Sequence, residues 1–394
     1  MPSTLVTRRA QLPDGVRLNR YLRLPELGPK ILFFSGGTAL NGVSRELKHY
    51  SHHSIHLVTP FDSGGSSAKL REAFAMPSVG DLRSRMMALA DDSVVGNPEV
   101  VALFSHRLSS EGAPAELLLQ LQQIQCGSAP LSAALPNPVR QLIANQLAFF
   151  LNRMPDNFDL RGASIGNLIL AGGYLNHQSH LDPIVYLFSK LVNLRGTVRT
   201  IVNDDVHLGA ILENGAVVLG QHRLTGKEVA PLESPIKRLF LNRGLQREAP
   251  CRVQLAPEIA ELIATADLIV YPMGSFYTSL IANLLPDGVA DAIAANSCAK
   301  IFIPNLLGDP EQLGMGVNRA VDILLTTLRQ NYQGGGRLLD FLLLDTEGGD
   351  YAHPIDSAAL TAAGIQLLLC DMTSPQSRRL FNHRKLTEIL LSLA

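Results

Sequence analysis

Short hydrophobic runs alternate with segments of helical apolar spacing along most of the chain. This alternation predicts a mostly parallel β-sheet with helices on both faces, because parallel strands need long crossover connections. Several runs are continuously apolar, as expected of strands buried on both faces. The predicted strands are residues 30–35, 54–60, 197–202, 237–241, 267–272, 299–305, 341–345 and 365–371.

One segment predicts antiparallel pairing instead. In GAILENGAVVLGQ (209–221), two apolar runs meet at Asn214-Gly215, a dipeptide typical of two-residue hairpins. We therefore expect a small antiparallel hairpin beside the parallel sheet.

The strand pattern stops between residues 91 and 160, where helical spacing is interrupted only by the turn-like GSAPLSAALPNP. We predict a helical insertion at 91–160 within an α/β domain that spans 30–394, preceded by an N-terminal extension at 1–29. The expected fold is Rossmann-like, with three layers.

The composition excludes several classes of protein. A hydrophobic fraction of 46% and a charged fraction of 18% indicate a globular chain with a sizeable core. The net charge of -1 argues against nucleic-acid binding, which needs a basic face. Neither a membrane span nor a signal core is apparent, so we expect a cytoplasmic protein. The cysteines show no paired spacing and are expected to be reduced core thiols: Cys126, Cys251, Cys298 and Cys370.

Three glycine-rich loops each follow a predicted strand and open a helix. They are SGGTALNG (35–42), DSGGSSAK (62–69) and YPMGSFYTS (271–279). Neighbouring parallel strands bring such loops to one edge of the sheet, where backbone N–H groups can approach phosphate. The sequence therefore predicts a phosphate or nucleotide site. Its candidate residues are Gly36, Gly37, Thr38, Gly64, Gly65, Ser66, Ser67, Gly274 and Ser275.

A carboxylate lies within the second loop. Asp62 suits a magnesium ion that neutralises phosphate, although a helix-capping or turn role is the alternative. The first loop has Val43-Ser44 where a P-loop requires Lys followed by Ser or Thr, so a conventional nucleoside triphosphatase is not expected. Arginines that could contact phosphate, or lie on the surface, are Arg71, Arg83 and Arg85.

The motifs GGTALNGVSRELK, DSGGSSAKLREAF and SVGDLRSRMMALAD (78–91) resemble those of the CofD/YvcK-like family, whose usual forms are GGTG, DDGGSSGRLR and PPGDLR. The resemblance continues through Gly166-Asn167-Leu168 and the segments 192–215 and 266–293. It covers about 30–90 and 160–310. This chain departs from the family pattern at Ala39, Ser63 and Tyr271-Pro272-Met273.

The resemblance implies two alternative functions. One branch of the family is the 2-phospho-L-lactate transferase, which moves a phospholactyl group from a guanosine diphospho-lactate to a deazaflavin alcohol with magnesium. The other, YvcK-type branch binds a UDP-sugar and regulates carbon metabolism and cell-wall supply. This chain looks most similar to CofD-related proteins of a bacterial gene cluster with ATP-grasp and kinase-like partners. In the transferase interpretation Asp62 holds the metal for catalysis and Asn167 touches the substrate; a homodimer is expected from the family.

A serine hydrolase is a rival interpretation. Residues 162–166, GASIG, match the G-x-S-x-G elbow, with Ser164 as nucleophile and Asp345 and His353 as partners. A glycine-rich helix start explains the same residues.

Three polar groups have ligand-like spacing, with solvated, capping or turn residues as the alternative. They are His177, His180 and Asp182; His52, His53 and His56; and Asp204 with Asp205.

Overall fold

The computed structural model describes residues 10–226, 230–346, 349, 351, 353–375, 377 and 380–394. The strands are Ile31–Ser35 (β1), Ile55–Val58 (β2), Thr197–Thr200 (β3), His207–Leu212 (β4), Val217–Leu219 (β5), Ile236–Asn242 (β6), Leu268–Tyr271 (β7), Ala299–Phe302 (β8), Phe341–Asp345 (β9) and Gln366–Cys370 (β10).

The α-helices are Gly15–Arg23 (α1), Asn41–Leu47 (α2), Gly65–Phe74 (α3), Gly80–Leu89 (α4), Pro98–Ser105 (α5), Pro114–Cys126 (α6), Pro130–Ala133 (α7), Asn137–Arg153 (α8), Ile165–Asn176 (α9), Asp182–Leu191 (α10), Gln221–Leu224 (α11), Pro257–Ala264 (α12), Val289–Ala295 (α13), Val317–Arg329 (α14), Ser357–Ala362 (α15) and His383–Leu393 (α16). Short 3₁₀ turns cover Pro25–Leu27 and Val94–Gly96, and a π-helix covers Phe276–Ile281.

Seven parallel strands form the main sheet in the order β10-β9-β8-β7-β1-β2-β3. Every residue of β1, β2 and β7 is buried, as their continuous apolar runs predict. These three strands are neighbours, so their carboxyl ends meet at one edge. The predicted α/β fold with a mostly parallel sheet is confirmed.

The antiparallel piece is larger than the predicted hairpin. Strands β4 and β5 pair across Asn214-Gly215, where Gly215 has a φ of 87°. However, β6 adds to β4 and gives the order β5-β4-β6. Placing 237–241 in the parallel sheet was therefore wrong. A short apolar run reveals that a segment is extended but not which sheet it joins, since long-range pairing decides that.

Helices α5 to α8 occupy residues 98–153, and α8 packs on α9. Near the N-terminus, α1 buries Leu18 and packs on α16. The backbone N–H of Asp14 donates to the Ser392 hydroxyl at 2.8 Å, which ties the beginning of the chain to its end. The domain boundaries stay a prediction.

All four cysteines are free thiols, but Cys126 is exposed at the end of α6. The prediction that it belongs to the core was wrong, because it falls on the outer face of its helix. Cys251, Cys298 and Cys370 are half-buried. Throughout the described ranges, no helix has the length and apolar character that crossing a membrane requires.

Candidate functional site

The three glycine-rich loops meet around a cavity of about 170 Å³, here called the loop cavity. The first loop contributes Gly37, the second Asp62 and Gly64, and the third Ser275. Residues that were not singled out from the sequence complete its lining: Asp81, Gln221, His222, Thr225 and Ser279. The parallel arrangement of β1, β2 and β7 explains the convergence.

The first loop passes so close to its neighbours that it has no room for a side chain at Gly36. A Cβ there would lie 2.7 Å from Thr59 Oγ1, 2.8 Å from Ser279 Oγ and 3.0 Å from Asp81 Oδ2. Gly37 adopts a left-handed φ of 53°, which favours glycine. Thr38, also a candidate, is exposed and does not line the loop cavity.

The second loop turns tightly around its carboxylate. Asp62 Oδ1 accepts the N–H of Gly64 at 3.0 Å. Gly65 follows with a φ of 49° and begins α3. The other carboxylate oxygen, Oδ2, lies 3.5 Å from where a Cβ of Gly80 would be. The turn role predicted as the alternative for Asp62 is therefore filled by Oδ1.

Two of the three serines of this loop, Ser66 and Ser67, lie against α9 and α4. Ser66 Oγ accepts a hydrogen bond from Asn167 Nδ2 at 3.4 Å, and Asn167 Oδ1 accepts one from Arg83 Nε at 2.9 Å. Ser67 is buried beneath Gly80. Ser66, Ser67 and Asn167 lie outside the lining of the loop cavity, and Asn167 is itself buried.

Asp81 is the principal residue that sequence reasoning missed. It lies in the first turn of α4, and Thr59 Oγ1 donates to its Oδ2 at 3.5 Å. Burial raises the pKa of this carboxyl and the Asp62 charge adds to the rise, while the Gly37 N–H opposes both. The sequence motif SVGDLR contains this aspartate and could have identified it as a site residue.

The arginines brace the loops and do not line the cavity. Arg85 is fully buried, and its Nη1 donates to Ser44 Oγ at 2.7 Å. Burial lowers its pKa to about 10, although the Asp81 charge opposes this. Arg71 Nη2 donates to Asp205 Oδ1 and to the Val206 carbonyl, both at 2.7 Å. Arg71 therefore joins the second loop to the segment that leads into β4.

The third loop satisfies most of its N–H groups within the chain. Gly274, with a φ of 133°, donates to Asn305 Oδ1 at 2.9 Å. Phe276 donates to Asp309 Oδ2 at 2.7 Å, and both Tyr277 and Thr278 donate to Glu311 Oε2. Within this loop, Ser275 and Ser279 face the loop cavity.

A histidine reaches the loop cavity from α11. Ser63 Oγ accepts a hydrogen bond from the backbone N–H of His222 at 3.3 Å. The same oxygen lies 2.8 Å from Nδ1 of the His222 ring. The serine hydroxyl has one donor and two acceptor sites, so it can hold this imidazole while the ring faces the loop cavity.

A second, apolar cavity of about 350 Å³ adjoins the first. It is lined by Ala39 and Gly274, which belong to the same loops as Gly37 and Ser275. Apolar side chains cover much of the rest: Met273, Leu306, Leu307, Leu380 and Phe381.

The surroundings of Ser164 do not support a hydrolase. The side chain is fully buried, and its Oγ donates to the Phe104 carbonyl at 3.5 Å. Residues 151–176 are all described and contain a helix, turns and an isolated bridge before α9, without the strand that a nucleophile elbow follows. His353 Nε2 is 3.0 Å from the Gly314 carbonyl.

The histidine groups do not form metal sites. His56 is buried against Phe33, whereas His52 and His53 contact Glu26. Asp182 pairs with Arg199, and His177 and His180 lie in the turn that follows α9. Among the residues that the structure describes, no group of three or more His, Cys, Asp or Glu could hold a metal ion. Asp205 pairs with Arg71, and Asp204 is exposed.

Comparison with known proteins places the chain in a family. A family model described as 2-phospho-L-lactate transferase CofD matches residues 31–372. A gluconeogenesis factor of Bacillus subtilis is 30% identical over 282 residues, which are 72% of this chain and 69% of that protein. A Thermoanaerobacterium thermosulfurigenes relative is 28% identical over 381 residues, which are 93% of this chain and 97% of that protein.

The fold is also shared with a solved structure. A crystal structure of a UPF0052 family member from Bacillus halodurans has a TM-score of 0.67 and 24% identity, and covers 92% of this chain and 99% of that chain. The matched family model includes the loops at β1, β2 and β7 and the residues around the loop cavity. The chain belongs to the CofD family.

Proposed function

We propose that the chain binds a nucleoside-diphosphate-linked ligand with magnesium at the loop cavity and transfers its phosphoryl-linked group to an acceptor. The observation that carries this proposal is the pair Asp62 and Asp81 on one cavity walled by glycine backbone and hydroxyl groups. Two carboxylates alone would repel a diphosphate. Their oxygen donors suit Mg²⁺, which commonly takes one or two carboxylates and completes its shell with phosphate and water.

The ligand would extend over both cavities. At about 170 Å³ the loop cavity is smaller than the range typical of ligand pockets, roughly 300–1,000 Å³. The adjoining apolar cavity, at about 350 Å³, offers Met273 and Phe381 to an uncharged ring. Phosphate donors would come from the loop residues that line the cavity, namely Gly37, Gly64 and Ser275.

The transfer needs no covalent protein intermediate. An acceptor hydroxyl oxygen would form a bond to the distal phosphorus, the bond from that phosphorus to the nucleoside monophosphate would break, and the hydroxyl proton would pass to solvent. Magnesium would supply charge neutralisation of the diphosphate. The protein would contribute alignment by its glycine loops and by the His222 side chain in the cavity lining.

A second candidate is a non-catalytic regulator that binds a UDP-sugar with the same residues. The names of relatives favour it, since those from Bacillus subtilis and Listeria innocua are called gluconeogenesis factors. A transferase requires room for an acceptor, whereas a regulator does not.

Thermal shifts with UDP-, GDP- and ADP-linked ligands, with and without magnesium, test the proposal. One diphosphate should raise the melting temperature of the wild type only when magnesium is present, because a ligand stabilises the state it binds. Asp62→Ala and Asp81→Asn should abolish the shift. Asp156→Asn, an exposed residue outside the loop cavity, should retain it. No shift with any nucleotide would contradict both candidates.

Phosphorus NMR separates the two candidates once a ligand is known. Release of a nucleoside monophosphate in the presence of a hydroxyl acceptor supports the transferase. Binding that is independent of magnesium, without any release, supports the regulator.

A further inference from the structure

A cavity of about 610 Å³ lies outside the proposed nucleotide site, between β6, the π-helix and α14. We call it the basic groove, after the basic residues Lys237, Arg238, Arg319 and Arg329 in its lining. Tyr277 and Ile281 of the π-helix also line it, whereas Ser275 and Ser279 of the same segment line the loop cavity. The two cavities therefore contact different side chains of one short element.

The groove has an excess of positive charge. Asp322 is the acidic residue in its lining, against the four basic ones. All four basic residues are exposed, and none takes part in the ion pairs found among the described residues. Four basic side chains on one concave surface that carries a single carboxylate attract an anionic ligand.

A β-bulge places two of these cations in the groove. Arg238 pairs with Ile211 and Ile236 with Leu212, so Lys237 is an extra residue in β6. In a regular strand, neighbouring side chains point to opposite faces. Here Lys237 and Arg238 are both exposed and both line the groove. A bulge has this effect because it changes the direction in which a side chain points.

The other wall is one face of α14. Arg319, Asp322, Thr326 and Arg329 follow one another at spacings of three or four residues, which brings them onto a common helix face. The floor is apolar and fixed: Tyr277 is buried, and its hydroxyl donates to the Ile236 carbonyl at 2.9 Å, beside the bulge.

We propose that the basic groove is a second ligand site, which binds a small phosphorylated metabolite with an apolar or ring-shaped body. Its volume of about 610 Å³ falls within the small-molecule range of roughly 300–1,000 Å³. Guanidinium groups bind phosphate oxygens in a bidentate manner, and the Tyr277–Ile281 floor receives the apolar part. The proposal is independent of the nucleotide site and uses none of its residues.

Phenyl phosphate without magnesium is the probe, since it combines one phosphate with an apolar ring and is not a nucleotide. Calorimetric titration should show binding that is weakened at least tenfold in Arg329→Glu and in Arg238→Glu. Hydrogen exchange should slow in residues 236–242 and 317–329 when the probe is added. Inorganic phosphate, which lacks the ring, should bind more weakly than phenyl phosphate.

Arg153→Glu is the matched control, because Arg153 and Arg329 are both exposed and each is the last residue of a helix, α8 and α14 respectively. It should bind phenyl phosphate as the wild type does, and so should Asp62→Asn. The proposal is overturned if the wild type does not bind the probe, if Arg153→Glu is weakened as much as Arg329→Glu, or if Asp62→Asn alone abolishes binding.

Discussion

At the scale of single residues, the absence of a side chain at Gly36 lets the first loop approach the Asp81 carboxylate closely. The missing Cβ of Gly36 would lie within 3.0 Å of the Thr59 and Ser279 hydroxyls and the Asp81 carboxylate. These three groups belong to the surroundings of the loop cavity, so any substitution at Gly36 displaces groups that the proposed ligand needs.

Gly36→Ala should therefore reduce both stability and binding. Overpacking of this kind costs roughly 1–3 kcal/mol, which urea unfolding would measure. The nucleotide-induced thermal shift should be lost in the same variant, because Asp81 is pushed out of position.

Gly15→Ala is the control for that substitution. Gly15 begins α1 and has no atom within 4 Å of its Cβ position. This variant should be neutral or stabilised by up to about 1 kcal/mol, with binding unchanged. If Gly36→Ala has the same stability and nucleotide binding as Gly15→Ala, the close approach of the first loop to its neighbours is not required for binding.

At the scale of elements, the π-helix is capped by acidic residues of the chain itself. Asp309 and Glu311 accept the N–H groups of Phe276, Tyr277 and Thr278, where negative charge is favourable at a helix N-terminus. Burial raises the pKa of Glu311 to about 7, and the neighbouring Asp309 charge adds to the rise.

This raised pKa predicts a stability that depends on pH. The folded-state pKa of Glu311 exceeds the ordinary value of 4.5, so protonated Glu311 stabilises the folded chain. This contribution to the free energy of unfolding is complete below about pH 4.5 and is lost as the pH rises through about 7. The free energy of unfolding of the wild type, relative to Glu311→Gln, should fall by roughly 1–3 kcal/mol over this interval.

Urea unfolding at a series of pH values measures the effect. Glu116→Gln is the control, because Glu116 also lies in the first turn of a helix but is exposed. It should show the same pH dependence as the wild type. An unchanged pH dependence in Glu311→Gln would show that Glu311 stays ionised when buried.

At the scale of the whole molecule, the features that could be predicted from the sequence are those set by the local hydrophobic pattern and by the parallel order of the strands. The convergence of Gly37, Asp62, Gly64 and Ser275 follows from strands that each end in a glycine-rich loop. His222 was missed because it belongs to the small antiparallel sheet region. No local signal reveals how that sheet packs against the loops.

Long-range contacts also determine the surroundings of Arg71. A phosphate contact or a surface position was predicted for it, but the side chain is buried and its guanidinium donates to Asp205 and to the Val206 carbonyl. Arg71 therefore links α3 to the segment that leads into β4, and its contact with phosphate stays a prediction. Asp81 differs from His222 and Arg71, because the motif that contains it was recognised in the sequence. Only the three-dimensional structure shows that Asp81 and Asp62 line the same cavity.

The measurement that tests the central claim most directly is a calorimetric titration of GDP and UDP, with magnesium and with a chelator, against wild type, Asp81→Asn and Asp156→Asn. We predict that one nucleotide binds the wild type and Asp156→Asn at least tenfold more tightly with magnesium, and that Asp81→Asn loses this difference. Equal affinity with and without magnesium, or wild-type behaviour of Asp81→Asn, would contradict a metal-bridged diphosphate at the loop cavity.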